Sequence, residues 1–207
     1  MNLFRHLFLL IILAASGCSF VSFSHKKSSF IKTLSDIDRH NLVTHAQNGL
    51  GQHQIKVGKK SFRADCSGSI RAFFAQSRIK LGGVLKTKDD NDVKAIYRYV
   101  RKYGKILKSD PKPGDLVFFH NTYDRNRNGR MDNALTHIGL VEKVENKTIY
   151  FIHHLGQSII RSRMNLSLPK DAVDPKSGQR INHILRNAQK GFPAYSAAEL
   201  FAGFGRL

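Results

Sequence analysis

Cys66 stands in Arg63-Ala64-Asp65-Cys66-Ser67-Gly68 and is one of only two cysteines in the chain. The other, Cys18, closes a short apolar segment, Leu13-Ala14-Ala15-Ser16-Gly17-Cys18. With Cys18 consumed by export processing, Cys66 has no partner for an intramolecular disulfide. A lone thiol in an oxidising compartment is open to mispairing and is usually kept for its reactivity. Apolar spacing at Ile70, Phe73, Phe74 and Ile79 predicts a helix over residues 67–81, so Cys66 sits where a loop enters a helix. The positive end of the helix dipole favours a thiolate there, and free N–H groups at that end can face a developing oxyanion. Asp65 and Ser67 read as caps. A thiolate nucleophile then needs an imidazole as base and a third group to orient the ring. His137 opens Thr136-His137-Ile138-Gly139-Leu140-Val141, polar at its start and apolar beyond, and is the base candidate. His153 ends Ile149-Tyr150-Phe151-Ile152-His153, and two antiparallel neighbours bring both rings to one face.

These residues need a scaffold of helices followed by strands. Ile31, Leu34, Ile37, Leu42, Val43 and Ala46 recur at helical spacing up to Gly49. A third helix follows the acidic run Asp89-Asp90-Asn91-Asp92 and carries Val93, Ile96, Tyr97 and Val100 up to Gly104. Beyond the turn at Pro113-Gly114 the texture becomes short and β-rich: residues 116–119, 137–144, 148–153 and 157–162. Helices first and strands second predict an α+β domain, with N-terminal helices packed on a small antiparallel sheet.

The motifs resemble those of the NlpC/P60 family of cell-wall cysteine peptidases, in the papain-like group that includes CHAP amidases. Asp65-Cys66-Ser67-Gly68 matches its D-C-S-G motif, Pro113-Gly114-Asp115-Leu116-Val117-Phe118-Phe119 its P-G-D-L-V-F-F strand, and His137-Ile138-Gly139-Leu140 its H-V-G-I strand. Phe151-Ile152-His153 matches the segment carrying the third polar residue. The resemblance implies a papain-like fold, with Cys66 as nucleophile, His137 as base and His153 as the orienting group. His154 lies beside His153, but alternation puts the two on opposite sheet faces. The aromatic-W-G-G segment usual before D-C-S-G is missing, and the chain has no Trp. The Tyr that segment often supplies therefore lacks a counterpart, except Tyr97 or Tyr123 reaching in through the fold.

The N-terminus carries a second signal. Arg5 and His6 precede the apolar run Leu7–Ala15, too short for the ~20 residues that span a bilayer. Apolar, small, Gly, Cys in that order resembles a bacterial lipobox, which implies acylation of Cys18 and a membrane anchor. Ser19 follows where an Asp retains many such proteins at the inner membrane, which implies the outer membrane, facing the periplasm of a diderm bacterium. The expected organisation is therefore a signal peptide over 1–17, a lipidated tether over 18–30, a catalytic domain over 31–190 and a tail of unassigned role over 191–207. Lys and Arg number 34 against 15 Asp and Glu, a net charge of +19. Such a field draws polyanions. For an exported chain without a nucleic-acid motif, the expected partners are peptidoglycan and a membrane surface, with no nucleic acid.

One segment suggests a metal. In Asp124-Arg125-Asn126-Arg127-Asn128-Gly129-Arg130-Met131-Asp132, oxygen side chains at Asp124, Asn126 and Asn128 precede Gly129 as in calcium loops. The Arg130 carbonyl and Asp132 would complete the set, although Leu135 occupies the position of the usual bidentate acid. The competing reading is an Asx-stabilised turn; no cofactor is required for the chemistry. The function expected is a lipid-anchored cysteine hydrolase that cuts peptide bonds in peptidoglycan stems or crosslinks. The alternatives are an N-acetylmuramoyl-L-alanine amidase or acyl transferase using the same residues, and a wall-binding lipoprotein without turnover.

Overall fold

The computed structural model describes residues 33–82, 91–189 and 191–207. The expected signal peptide, Cys18 and its tether lie outside the described residues, as do Asp89 and Asp90. Among the described residues no helix is long and apolar enough to cross a membrane.

Helix α1 (Asp36–Asn48) opens on a reciprocal box: the Ser35 hydroxyl accepts from the Asp38 N–H, and the Asp38 carboxylate accepts from the Ser35 N–H. It buries Leu42 and Ala46, whereas Ile37, counted in the sequence as an inward position, points to solvent. A short hairpin of β1 (Lys56–Val57) and β2 (Lys60–Ser61) leads to α2 (Cys66–Gln76), which presents Ile70, Phe73 and Phe74 to the core. Its end comes before the expected Leu81. The Ile79 N–H bonds the Phe74 carbonyl across Arg78, whose backbone is left-handed at φ 58°, and this Schellman-type closure stops the helix. Helix α3 (Asp92–Tyr103) is capped by Asn91 and buries Val93, Ala95, Ile96, Tyr99 and Val100.

The strands are β3 (Lys105–Leu107), β4 (Leu116–Phe119), β5 (His137–Glu145), β6 (Thr148–Leu155), β7 (Ser158–Met164), β8 (Ile184–Arg186), β9 (Tyr195–Ser196) and β10 (Phe201–Arg206). Six of them form one antiparallel sheet in the order β3-β10-β4-β5-β6-β7, with β8 and β9 as a separate pair. Both faces of the central strands are covered. Leu116 and Phe118 join Ile138, Leu140 and Ile152 under the helices, while Val117, Phe119, Val141 and Phe151 pack with Leu185, Leu200 and Phe204 on the other side. The α+β class and papain-like arrangement follow the sequence expectation.

The C-terminal segment has a role the sequence did not assign. Rather than trailing as a tail after residue 190, Phe201–Arg206 inserts between β3 and β4, one strand in from the edge of the sheet. It reads poorly because a strand buried on both faces shows no polar alternation, and three of its six residues are Ala or Gly.

Asp115 fastens this strand. The turn at Gly114, with φ 82°, drops the Asp115 carboxylate into a fully buried position at the start of β4. There it accepts from Arg39 of α1 at 2.7 Å, from Arg206 of β10 at 2.7 Å and from the Lys112 N–H. A buried carboxylate between two guanidiniums is costly to break from one side. Asp115→Ala is expected to lower unfolding free energy by about 3 kcal/mol, at the low end for a broken buried pair because both arginines reach solvent. Urea denaturation of the variant measures it.

Candidate active site

Helix α2 positions Cys66 as its first residue. The N-cap Asp65 bends out of the helix, and its Oδ1 accepts from the Gly68 N–H at 2.7 Å and the Ser67 hydroxyl at 2.8 Å. Arg63 holds its other oxygen at 2.6 Å. Burial would raise the Asp65 carboxyl, but these donors outweigh it and hold it below the usual carboxylate range. Gly68 is obligatory: a Cβ there would lie 2.1 Å from the Arg63 carbonyl oxygen, so the loop could not close against the helix. At this end the N–H of Cys66 has no intrahelical acceptor and is available to an oxyanion.

Cys66 and His137 line one cleft of about 450 Å³, with Asp65, Tyr123, Thr136 and His154 also in its walls. His137 is the first residue of β5, opposite Phe119 of β4. The segment before it is clamped: Thr136 Oγ1 accepts from the Thr122 N–H, the Leu135 N–H donates to His120 Nδ1, and Asn91 Nδ2 donates to the Leu135 carbonyl. His137 Nε2 meets His153 Nδ1 at 2.7 Å, which leaves His137 Nδ1 for the thiol side. His153 Nε2 in turn meets Ser162 Oγ of β7 at 2.9 Å. Once the His137 Nε2–H donates to His153, the His153 Nε2–H donates to Ser162, so one tautomer is set along the chain.

The structure brings Cys66 and His137 to one cleft and His137 to His153, and it separates His153 from His154 as alternation requires. The His154 ring lines the cleft instead, with Nε2 donating to the His53 carbonyl at 2.9 Å. Tyr123 stands in the cleft wall, whereas Tyr97 packs edge-on against Phe118. Sequence reading passed over Ser162, since a serine between two arginines carries no motif. Only its position across from Phe151, on the same strand pair as His153, points to it.

Protonation departs from the sequence expectation of a thiolate at the helix end. Cys66 keeps some solvent contact, yet burial and then the Asp65 carboxylate push its thiol up to about 12. The N–H groups of Ile138 and Ser67 act in the opposite sense and are outweighed. Burial, then His154, brings His137 down to about 4, with Asp65 opposing. Burial first, and then His137, likewise holds His153 well below the usual histidine range. The resting pair is therefore neutral thiol and neutral imidazole.

The segment from Asp124 to Asp132 forms a turn closed by its own side chains. Asp132 accepts from Asn126 Nδ2 at 3.1 Å and Asn128 Nδ2 at 2.8 Å, and Asp124 accepts from the Gly129 N–H at 2.8 Å. Asn128 Oδ1 accepts from the Arg130 N–H. The organiser is Asn133, just outside the pattern, whose buried Oδ1 accepts from the Arg125 and Asn126 N–H groups. The donor set suits a hard cation chemically, but as folded its oxygens are engaged within the turn.

A papain-like α+β domain with a Cys at a helix end and a His–His pair on the facing strands defines the class. The sequence model of the NlpC/P60 family matches residues 51–174, and the chain belongs to that family. No curated protein matches the chain. Among solved structures it is similar to a lipoprotein-like NLP/P60-family protein from Staphylococcus aureus, at 22% identity over 62% of this chain and 37% of that one, with a TM-score of 0.38. It is also similar to NlpC2 from Trichomonas vaginalis, at 17% identity over 84% of this chain and 48% of that one, with a TM-score of 0.42. The chain spans less than half the length of either.

Two outcomes follow from the electrostatics and the loop. Thiolate absorbance at 240 nm, read against Cys66→Ala, is expected to be absent at pH 7 and to rise only in strong alkali; the acid limb of any Cys66-dependent rate falls near pH 4, where His137 takes a proton. Because both rings are neutral when folded and protonate on unfolding, stability is full above about pH 6.5 and declines as pH falls towards 4. Thiolate absorbance at neutrality would establish an ion pair instead. For the loop, Asp124→Ala is expected to lower the melting temperature equally with and without calcium. A wild-type melting temperature that climbs in millimolar calcium, and does not in the variant, would assign the ion to Asp124, Asn126, Asn128, Arg130 and Asp132.

Proposed function

We propose that the protein is a lipid-anchored cysteine hydrolase that cleaves peptide bonds in peptidoglycan stem peptides or crosslinks. The observation that carries this reading is the shared cleft: a helix-terminal Cys66 and a His137 already hydrogen-bonded to His153, in a chain of the NlpC/P60 family. Anchoring rests on the sequence at Cys18, and with the Ser-rich tether it gives the domain reach from a membrane to the wall.

In the mechanism, a stem peptide lies in the cleft with a carbonyl against Cys66. The thiol proton passes to His137 Nδ1 as sulfur bonds to the carbonyl carbon. The Cys66 N–H at the α2 terminus takes the oxyanion, and the imidazolium is steadied through its Nε2–H to His153 and on to Ser162. His137 then gives its proton to the departing amine, leaving a thioester that water hydrolyses with His137 as base.

Incubation with purified sacculi, followed by mass spectrometry of the fragments, tests the reading. Wild type is expected to release fragments with a new amine, and Cys66→Ala none. His153→Ala should retain a remnant, about 10²-fold lower. Ser162→Ala should lose about tenfold in kcat, the worth of one buried hydrogen bond, with Ser162→Thr recovering it. A cut between sugar and stem would make the protein an amidase. Binding to sacculi without turnover would leave a wall-binding lipoprotein.

A further inference from the structure

His154 is an imidazole of the Cys66 cleft that the proposed mechanism leaves idle. On β6 it shares its face with Ile152, which packs under the helices, so its ring projects towards the end of α2 where Cys66 stands. The residue is buried, at 4% exposure, yet it lines the cleft together with Cys66 and His137.

One ring nitrogen is fixed. Nε2 lies 2.9 Å from the His53 carbonyl, which can only accept, so Nε2 carries the proton. That carbonyl is itself held in place. The Gly51 N–H donates to the Ile159 carbonyl at 2.8 Å, and the Ile159 N–H donates to the Gln52 carbonyl at 2.9 Å. His53 Nδ1 donates to the Gln157 carbonyl at 2.8 Å, and its ring packs edge-on against His154 with centroids 5.9 Å apart. Residues 51–53 are therefore strapped to the β6–β7 hairpin just beyond His154, and the orientation of the His154 ring is set by that strap.

The other nitrogen is open. Among the described residues, the sealed side-chain atoms that lack a hydrogen-bond partner belong to Gln76, Ser77 and Arg186. Nδ1 of His154 has no protein partner there either, so it keeps contact with solvent, and the solvent that the residue meets is that of the cleft. With the proton on Nε2, Nδ1 of the uncharged ring is a lone pair that can only accept. Buried polar groups are normally hydrogen-bonded. An acceptor left open beside a nucleophile, on a ring held by its other nitrogen, is preset to receive a donor from whatever fills the cleft.

We infer that His154 Nδ1 is a substrate-binding atom: it accepts one backbone amide N–H of the peptide in the cleft, and so selects a peptide that keeps an N–H at that position. A neutral lone pair suits an amide, whereas an ammonium asks for a carboxylate. Leu155, next in the wall and 38% exposed, gives an adjoining side chain an apolar surface. The inference rests on the hydrolase reading for the identity of the peptide, and it adds to that reading a residue that determines specificity.

Side-chain amides separate the two nitrogens. Asn places its oxygen where Nδ1 stands, whereas Gln reaches the place of Nε2. His154→Asn therefore keeps the acceptor in the cleft and loses the bond to His53, and His154→Gln keeps that bond and loses the acceptor. Calorimetric titration is done in a Cys66→Ala background, so that the peptide is not consumed, and at about pH 8, above the ordinary histidine range. The probes are a synthetic peptidoglycan stem tetrapeptide and its analogues methylated at one backbone nitrogen at a time. His154→Gln is expected to weaken binding about tenfold, the worth of one hydrogen bond, and His154→Asn to bind as the parent does. One N-methyl analogue should lose the same factor against the parent and nothing further against His154→Gln. A melting temperature of His154→Gln equal to the parent's checks the fold. The inference is overturned if His154→Gln binds normally while His154→Asn does not, the result for a ring that only braces His53. It is also overturned if the two variants bind alike, or if acetylating the peptide's N-terminus, rather than methylating an amide, removes the difference. A tetrapeptide that fails to bind Cys66→Ala at all sinks the peptidoglycan reading and this inference with it, whereas binding that ignores both His154 variants sinks the inference alone.

Discussion

The fold depends on one buried carboxylate. Asp115 has no solvent contact, and its oxygens are shared between Arg39 of the first helix and Arg206 of the last strand. The two ends of the described chain are thereby tied to the residue that leads into β4. The same residue's carbonyl accepts from the Val141 N–H, which fixes the register of β5 against it. Four residues on, Phe119 pairs with His137. The ionic clamp and the partner of His137 therefore sit at opposite ends of a single short strand, so the strand that the clamp holds also places the imidazole.

At the catalytic end, burial dominates over dipoles. A helix N-terminus and two facing N–H groups favour a thiolate, but they work against the loss of water around Cys66 and against the Asp65 carboxylate beside it. Asp65 is also the cap that starts the helix. The residue that makes the nucleophile's position possible thus raises the nucleophile's pKa. A neutral resting pair has a chemical advantage in an oxidising compartment, because a thiol is far less prone to oxidation than a thiolate. In the proposed hydrolysis, reactivity arises as substrate excludes water and the proton moves to His137, whose cation the His153–Ser162 chain can stabilise.

Legibility in the sequence follows where function depends on local pattern. Cys66 at a helix start and the two histidines on neighbouring strands were readable because helical spacing and a period of two mark the elements that carry them. Ile37 misled, since a short helix with Leu42 and Ala46 inward has little apolar face to spare for it. The strand from Phe201 to Arg206 was hidden by its burial on both faces. Ser162 and Asn133 were hidden for another reason. Each is an ordinary polar residue whose meaning comes from being buried beside one particular atom, and single-sequence patterns contain no term for that.

The segment from His120 to Thr136 joins these observations. Tyr123 and Thr136 lie in the wall of the Cys66 cleft, while His120, Asn121 and Met131 lie in the wall of a second cavity of about 490 Å³. Its interior is cross-linked by Asn133 and Asn121, each taking an N–H of the other's strand side: the Asn133 N–H donates to Asn121 Oδ1 at 2.6 Å, and the Asn121 N–H to the Asn133 carbonyl at 2.8 Å. Those bonds tie one wall to the other, since shifting either wall would break them. His137 follows immediately in the chain, held through Leu135 and Thr136. The wall of one cavity is therefore bonded through to His137 of the other, and the long connection between β4 and β5 is a shared partition between two pockets.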